Sequence, residues 1–203
     1  MLPRKYLKRS ARTLNWILNA CFCLLVLRGV FAAGFHASVL YKSFTDPAAL
    51  TGKMGLTIDW LTLDAANGFG ISRDAAISMK LVQLISAGAI TTIGCLCIRD
   101  LKQILLPIEL GQPFRRGIGQ EIRKLALHCF YLGWMDNLSM LFSVILIENH
   151  YGLQELLTTG PITGVTIHPE FRPAWFFVTA VLAILAMVFR HGEQLQTLAD
   201  ETL

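Results

Sequence analysis

The chain has 203 residues, of which 54% are hydrophobic and 16% are charged, and its mean hydropathy is +0.52. A soluble domain of this length does not bury so much apolar surface, so the composition excludes an ordinary soluble protein. The net charge is +4, but the basic residues stand in short stretches beside apolar runs. This arrangement indicates orientation in a membrane and argues against direct nucleic-acid binding.

Four stretches have the length and composition of helices that cross a membrane. A spanning helix needs about 20 mostly apolar residues to cross roughly 30 Å of hydrocarbon. The stretches that meet this requirement are residues 14–40, 75–98, 125–147 and 174–189. They predict an all-α membrane protein, a four-transmembrane-helix bundle with cytoplasmic helix extensions. It forms a single integral membrane domain over residues 1–203, with helices at 14–40, 75–106, 118–148 and 173–200.

The first apolar stretch follows a basic segment and so has the beginning of a signal peptide. Its apolar run is too long for one, and no small-x-small cleavage site closes it. We therefore expect this helix to be retained.

The loops after helices one and three have the pattern of β-strands. Leu56, Ile58 and Trp60 alternate with polar residues, a period of two, and residues 162–167 are similarly rich in β-branched side chains. The two loops are predicted to form a small extracytoplasmic β-sheet.

Helices two and four are predicted to continue beyond the membrane. Leu101, Ile104, Leu105 and Ile108 fall at i, i+3, i+4 and i+7, which places an apolar stripe of helix two at the membrane interface. Pro107 is a point where this helix kinks or ends. The chain after residue 190 keeps two leucines on one side, which indicates a helical extension there too.

Orientation follows from the positions of Lys and Arg, because positively charged loops resist translocation. The segment before helix one and the loop between helices two and three are basic, while the other two loops are mainly acidic. The basic residues are Arg4, Lys5, Lys8, Arg9 and Arg12, then Arg99, Lys102, Arg115, Arg116, Arg123 and Lys124. The pattern predicts a bacterial cytoplasmic (inner) membrane, with N and C termini and Gln112 in the cytoplasm, and Asn67 and Thr159 outside.

Two ionisable residues, Arg28 and Asp136, lie well inside the predicted spans. Each charge there costs at least ~2.5 kcal/mol on insertion scales, so each needs a partner. Arg28 and Asp136 lie roughly 24 and 18 Å above the inner surface at 1.5 Å per residue, and the Arg28 side chain leans toward the cytoplasm. A buried ion pair that fixes helix packing is predicted. A substrate or proton site and separate hydration of the two charges remain alternatives.

No catalytic centre, cofactor or metal site is predicted. The Cys-x-Cys pairs at residues 21–23 and 95–97 point about 200° apart on a helix and cannot chelate one ion, so all five cysteines are interpreted as packing residues. The five histidines have no H-E-x-x-H spacing. The sequence has no Walker loop, dinucleotide turn or Gly-x-Ser-x-Gly elbow, so it does not indicate an enzyme.

Two segments carry a resemblance to a known family. LGQPF at residues 110–114 is similar to its G-x-P-F motif before helix three, and FRHGEQL at 189–195 with DETL at 200–203 is similar to its F-R-x-G-x-x-L and D-x-T-V ending. The chain therefore resembles the domain of unknown function 2975 family of bacterial four-helix integral membrane proteins. The resemblance implies no established activity and a gene often adjacent to one for a small helix-turn-helix regulator. Arg115 departs from the Ser or Thr that the family usually places as helix N-cap.

Two classes of function fit these observations. The first is a non-enzymatic interaction or regulatory protein that acts through its cytoplasmic face. The second is a small transporter, channel or immunity-type protein that uses Arg28 and Asp136 as an oligomer. The expected partners are the lipid bilayer and a helix-turn-helix regulator, another membrane protein or a second copy. The predicted cytoplasmic interaction face comprises Arg115, Arg116, Arg123, Glu193, Asp200 and Glu201.

The end of helix four carries acidic residues where a helix dipole disfavours them. Asp200 and Glu201 oppose the negative helix end, at a cost of up to about 1 kcal/mol per group. We expect residues 193–203 to fold against the basic middle loop, with Leu195 and Leu198 covering part of the stripe that contains Leu101, Ile104 and Leu105. A solvated tail is the alternative, since surface charge pairs are weak.

Overall fold

The computed structural model describes residues 4–45, 56–58, 61–65, 73–110, 115–151, 162–167 and 171–201. Four long helices dominate this part of the chain. They are α1 (Arg4–Thr45), α2 (Arg73–Glu109), α3 (Ile118–Tyr151) and α4 (Ala174–Glu201). Three short strands lie between helices: β1 (Leu56–Ile58), β2 (Leu61–Ala65) and β3 (Ile162–Ile167).

Three of these helices are long and apolar enough to cross a membrane. The stretches that meet this requirement among the described residues are Arg12–Lys42 in α1, Ile77–Glu109 in α2 and Ala174–Leu198 in α4. They have 31, 33 and 25 residues, more than the roughly 20 that a bilayer core requires. The chain is therefore a helical membrane protein.

Helix α1 begins about ten residues before the predicted start at residue 14. Its basic first segment contains Leu, Arg, Lys and Ala, which are good helix formers, and no proline after Arg4. Helix α2 continues through Pro107 to Glu109. Pro107 does not end it, because a proline near a helix C-terminus removes a single backbone donor.

The three strands form one antiparallel sheet in the order β1-β2-β3. Thr57 is paired with Thr62 in the first ladder, and Leu63 is paired with Val165 in the second. The register shifts between Asp64 and Ala65, so one residue there is left out of the regular pairing. The sheet joins the two loop segments whose alternating sequences predicted strands.

The fold divides into two compact units. The first comprises Met1–Gly29, Ile90–Trp134 and Pro173–Leu203, and the second comprises Val30–Ala89 and Met135–Arg172. The first unit therefore contains the loop between α2 and α3 and the end of α4. The second contains the sheet.

The core of the first unit lies among α2, α3 and α4. Cys97, Leu125 and Cys129 form one buried cluster, and Ile118, Ile122 and Ala186 form another. Ile104 of α2 packs against both clusters, and Leu101 packs against the first. Leu101 and Ile104 of the apolar stripe of α2 thus face the neighbouring helices, and the predicted place of the stripe at the membrane interface stays a prediction. Close side-chain packing is what holds such helices together, since lipid tails are as apolar as the helices themselves.

Small residues allow close helix approaches in the first unit. A Cβ atom built at Gly29 of α1 would lie 2.6 Å from Thr91 Cγ2 of α2. On α3, a Cβ at Gly119 would lie 3.1 Å from the backbone N of Arg190, and one at Gly133 would lie 2.7 Å from Trp175 Cβ. Because residue 119 meets residue 190 and residue 133 meets residue 175, α3 and α4 run antiparallel there.

Candidate functional site

The start of α3 is built on a glycine turn. Gly117 has a φ of 97°, a left-handed conformation that costs a glycine little. Its carbonyl oxygen accepts hydrogen bonds from the N–H groups of Gln120 and Glu121, each 3.1 Å long, which begin the helix. The first N–H groups of a helix have no partner within it, so they require an acceptor from elsewhere.

Glu193 of α4 supplies that acceptor. Its Oε1 accepts a 2.9 Å hydrogen bond from the Gly119 N–H, and its Oε2 accepts a 3.3 Å bond from the Gly117 N–H. A carboxylate at this position satisfies two backbone donors and also complements the positive end of the helix dipole. The side chain that caps the start of α3 therefore comes from another helix.

The contacts made by the end of α4 differ from those predicted for a tail that folds against the middle loop. Glu193 connects α4 to the middle loop through backbone amides and makes no ion pair with the predicted arginines in the described residues. Leu195 and Leu198 are 55% and 59% exposed, and their predicted cover over the α2 stripe stays a prediction. Ile104 in that stripe already packs against the buried cluster that contains Ala186, which lies nine residues before Leu195. Glu201 is exposed, and the Asp200 side chain lies outside the described residues.

Four arginines surround the start of α3. Arg115, Arg116 and Arg123, which the sequence predicted, are exposed there. The structure adds Arg190, whose Cβ would lie 3.2 Å from a Cβ built at Gly119, and it too is exposed. The sequence did not predict Arg190 at this place, because Arg190 lies far from residues 115–123 along the chain and only the packing of α4 on α3 brings it close.

A second polar site joins α2 to α3, and the sequence analysis missed it. Asp100 is fully buried at 0% exposure, and its Oδ2 lies 2.6 Å from Nδ1 of His128. Its Oδ1 has no hydrogen-bond partner in the described part of the chain, since the guanidinium of Arg99 stands 3.6 Å away. Asp100 shares a helical face with Cys97 and Ile104, and this signal could have revealed a carboxylate facing the core.

The Asp100–His128 contact lies beside the two buried cysteines. Cys97 and Cys129 pack in one buried cluster, on the same two helices as the carboxylate and the imidazole. Among the residues that the structure describes, no three metal-ligating side chains are arranged to hold an ion. The arrangement can hold and orient a proton between Asp100 and His128, and it ties α2 to α3 through polar groups.

Asp136 has a partner in the second unit. Nη1 of Arg172 lies 3.5 Å from its Oδ2, and the side chain of Asp136 is 26% exposed. The backbone N–H of Arg172 also donates a 3.2 Å hydrogen bond to Asn137 Oδ1, a second contact of Arg172 with α3 in this unit. Arg28 belongs to the first unit and is exposed. Its predicted ion pair with Asp136 stays a prediction.

The fold and these sites define the class of protein: a helical membrane protein whose polar contacts gather at helix ends and between helices. No family model matches the chain, and neither a curated protein nor a solved structure matches it. The inference of function therefore depends on the residues and contacts of the chain itself.

Proposed function

We propose that this chain is a four-span protein of the bacterial cytoplasmic membrane that acts, without catalysis, as an interaction or regulatory protein through its cytoplasmic face. Both termini are cytoplasmic in this proposal, and the β1-β2-β3 sheet is extracytoplasmic. The distribution of Lys and Arg supports the orientation. Membership of the domain of unknown function 2975 family is part of the same proposal, supported by the motifs at residues 110–114 and 189–195.

The antiparallel contact of α3 with α4 supports α3 as the fourth span. Residues 119 and 133 of α3 lie beside residues 190 and 175 of α4, and α4 has the composition of a spanning helix. The two helices therefore pack side by side over about 14 residues, which is roughly 21 Å at 1.5 Å per residue. If α4 spans the bilayer, α3 crosses the same 21 Å of it. The cap from Glu193 also requires the end of α4 and the start of α3 to share one side of the membrane.

The observation that carries the function is the exposed end of α4. Leu195 and Leu198 stand one turn apart on a polar stretch of helix beyond Arg190, and both are more than half exposed. Exposed leucines at i and i+3 are typical of a helix that binds in the groove of a partner protein. The cap from Glu193 holds this segment in place, so a partner meets a preformed helix.

The test is co-purification of the full-length protein from its native membrane in mild detergent, followed by mass spectrometry. A stoichiometric partner, such as a small helix-turn-helix regulator, is expected with the parent protein and lost on Leu195→Glu/Leu198→Glu. The matched control is Gln194→Glu/Gln196→Glu, which adds the same charge at exposed neighbouring positions. A partner retained by the leucine variant, or a parent protein that purifies alone, contradicts the proposal.

A small transporter, channel or immunity-type protein, acting as an oligomer, is the second candidate. The observation in its favour is Arg28, which is exposed within the spanning stretch of α1 and has no carboxylate within 4 Å among the described residues. A guanidinium at that depth needs a polar partner or a water-filled path, either of which an oligomer supplies. Solute or ion flux in proteoliposomes that is lost on Arg28→Gln, with the oligomer intact, would favour this function.

A further inference from the structure

The structure brings Arg190 of α4 to the start of α3, near three arginines that are neighbours in the sequence. Arg115 and Arg116 directly precede Gly117, Arg123 lies one helical turn after Gly119, and Arg190 of α4 contacts Gly119. We call these four residues the arginine cluster. All four are exposed, and Arg123 leans back toward the start of α3, because helical side chains tilt toward the helix N-terminus.

The members of the arginine cluster, like Arg28, have no ion-pair partner among the described residues. Within the described residues, no carboxylate lies within 4 Å of any of its members, whereas Arg12, Arg99, Lys124 and Arg172 each have one. Both oxygens of Glu193, at the same junction, accept backbone hydrogen bonds. The cluster therefore presents arginines that form no ion pair among the described residues.

We propose that the arginine cluster binds the phosphate group of an anionic phospholipid in the cytoplasmic leaflet. The site rests on the orientation given under the proposed function, which puts the start of α3 at the inner surface. Guanidinium groups donate paired, charge-assisted hydrogen bonds to phosphate oxygens, and basic clusters next to membrane spans recognise anionic headgroups.

The position of the arginine cluster favours a lipid over a soluble anion. Arg190 directly follows the apolar run of α4 that ends at Phe189, and Arg123 lies two residues before the apolar run that begins at Leu125. Both arginines therefore lie where two spans leave the hydrocarbon, at the depth of the headgroups. One bound headgroup would contact α3 and α4 together and so strengthen the junction that Glu193 caps.

The site has a direct binding test that needs no knowledge of activity. The full-length protein in mild detergent is titrated with phosphatidylglycerol or phosphatidylcholine, and bound lipid is counted by native mass spectrometry. The parent protein is expected to bind phosphatidylglycerol in preference to phosphatidylcholine. Arg115→Gln/Arg116→Gln/Arg190→Gln is expected to weaken phosphatidylglycerol binding at least about tenfold and to leave phosphatidylcholine binding unchanged.

Matched control variants distinguish binding to the arginine cluster from a general effect of positive charge on lipid binding. Arg12→Gln and Arg172→Gln remove exposed arginines that have carboxylate partners, and each is expected to change phosphatidylglycerol binding less than about twofold. Replacing Arg115, Arg116 and Arg190 by Lys keeps the positive charge but removes the paired hydrogen bonds of the guanidinium groups. Phosphatidylglycerol binding between that of the parent and that of the triple Gln variant is expected. Monodisperse elution of each variant shows that it is folded.

Three outcomes overturn the proposal. They are equal binding of the two lipids by the parent, unchanged phosphatidylglycerol binding by the triple Gln variant, and displacement of the lipid by inorganic phosphate at equimolar concentration, which would assign the site to a soluble anion. Binding in detergent does not depend on orientation or on Leu195 and Leu198. Failure here is therefore distinguishable from failure of the proposed function.

Discussion

Asp100 is the residue whose environment demands the most explanation. A carboxylate removed from water is costly unless it is hydrogen-bonded, and here His128 provides the close partner on the neighbouring helix. The ring of His128 keeps 23% of its side-chain surface exposed, so the two partners are not equivalent. Loss of the imidazole leaves a fully buried acid with only the guanidinium of Arg99, 3.6 Å away, while loss of the acid leaves a ring that solvent can reach.

We therefore predict that His128→Leu is more damaging than Asp100→Asn. The first variant leaves the buried carboxylate without its hydrogen-bond partner, because Arg99 stands too far away to replace it, and should lower the free energy of unfolding by about 3 kcal/mol. The second keeps a hydrogen-bonding group of the same shape and should cost about 1 kcal/mol. Intrinsic tryptophan fluorescence, recorded in detergent during a temperature scan, measures the two losses of stability as shifts in apparent melting temperature.

The control for this pair is His191→Leu, which changes an exposed histidine on α4 and should leave the melting temperature unchanged. The double variant Asp100→Leu/His128→Leu should recover much of the loss, since it removes both polar groups. A melting temperature for His128→Leu equal to that of the parent would show that Asp100 does not depend on His128.

At the scale of elements, the junction of α3 with α4 depends on a side chain acting as a helix cap. The bond from Gly119 N–H to Glu193 spans 74 positions of the sequence. The residues directly before α3 are arginines and a glycine, and none has a side chain that acts as an N-cap acceptor. The acceptor that caps α3 therefore comes from α4.

Glu193→Ala should therefore loosen the start of α3. Loss of the cap costs about 1 to 2 kcal/mol, and hydrogen exchange should accelerate across residues 115–121. Glu193→Gln should have a smaller effect, because an amide oxygen still accepts a hydrogen bond but carries no charge. Glu201→Ala, at an exposed site near the end of α4, is the control. Unchanged exchange at residues 115–121 in Glu193→Ala would rule out the cap.

Glycine substitutions test the close approach of the same two helices. Gly119→Ala would place a methyl group 3.1 Å from the Arg190 nitrogen and 3.2 Å from the Ala186 oxygen, backbone atoms that cannot move away by a rotamer change. We expect a loss of about 1 to 3 kcal/mol, measured as a lower melting temperature.

Gly34→Ala and Gly88→Ala are the matched controls for Gly119→Ala. A Cβ built at either position meets no atom within 4 Å, and alanine favours a helix over glycine by roughly 0.5–1 kcal/mol. These controls should be neutral or stabilising. Equal melting temperatures for Gly119→Ala and the controls would show that α3 and α4 do not approach so closely.

At the scale of the whole molecule, the orientation in the membrane is open to direct measurement. On a background without the five native cysteines, single cysteines at Gln112, Asn67 and Thr159 would be labelled with an impermeant reagent in intact cells. These three positions lie outside the described residues. Labelling at positions 67 and 159 and none at 112 is expected, because basic loops stay in the cytoplasm. The reverse pattern would invert the topology.

The sequence by itself determined the helices and their apolar character. Long apolar runs and their periodicity are local properties, so the starts of α2, α3 and α4 lie within about two residues of the predicted positions. Alternation of β-branched and polar residues is likewise local, and it placed the strands at residues 56–58 and 162–167. The start of α1 was placed too late, because hydropathy does not detect a charged segment that is nonetheless helical.

The tertiary structure alone decided which polar groups meet. Asp100 contacts His128, which lies 28 positions later in the sequence, and Glu193 accepts hydrogen bonds from the start of α3. Asp136 pairs with Arg172, and Arg190 lies beside the start of α3, near the basic residues that precede it. Each of these contacts depends on how one helix is rotated and shifted against another. That geometry is set by the packing of small and apolar side chains at the contacts, and a pattern along one helix does not contain it.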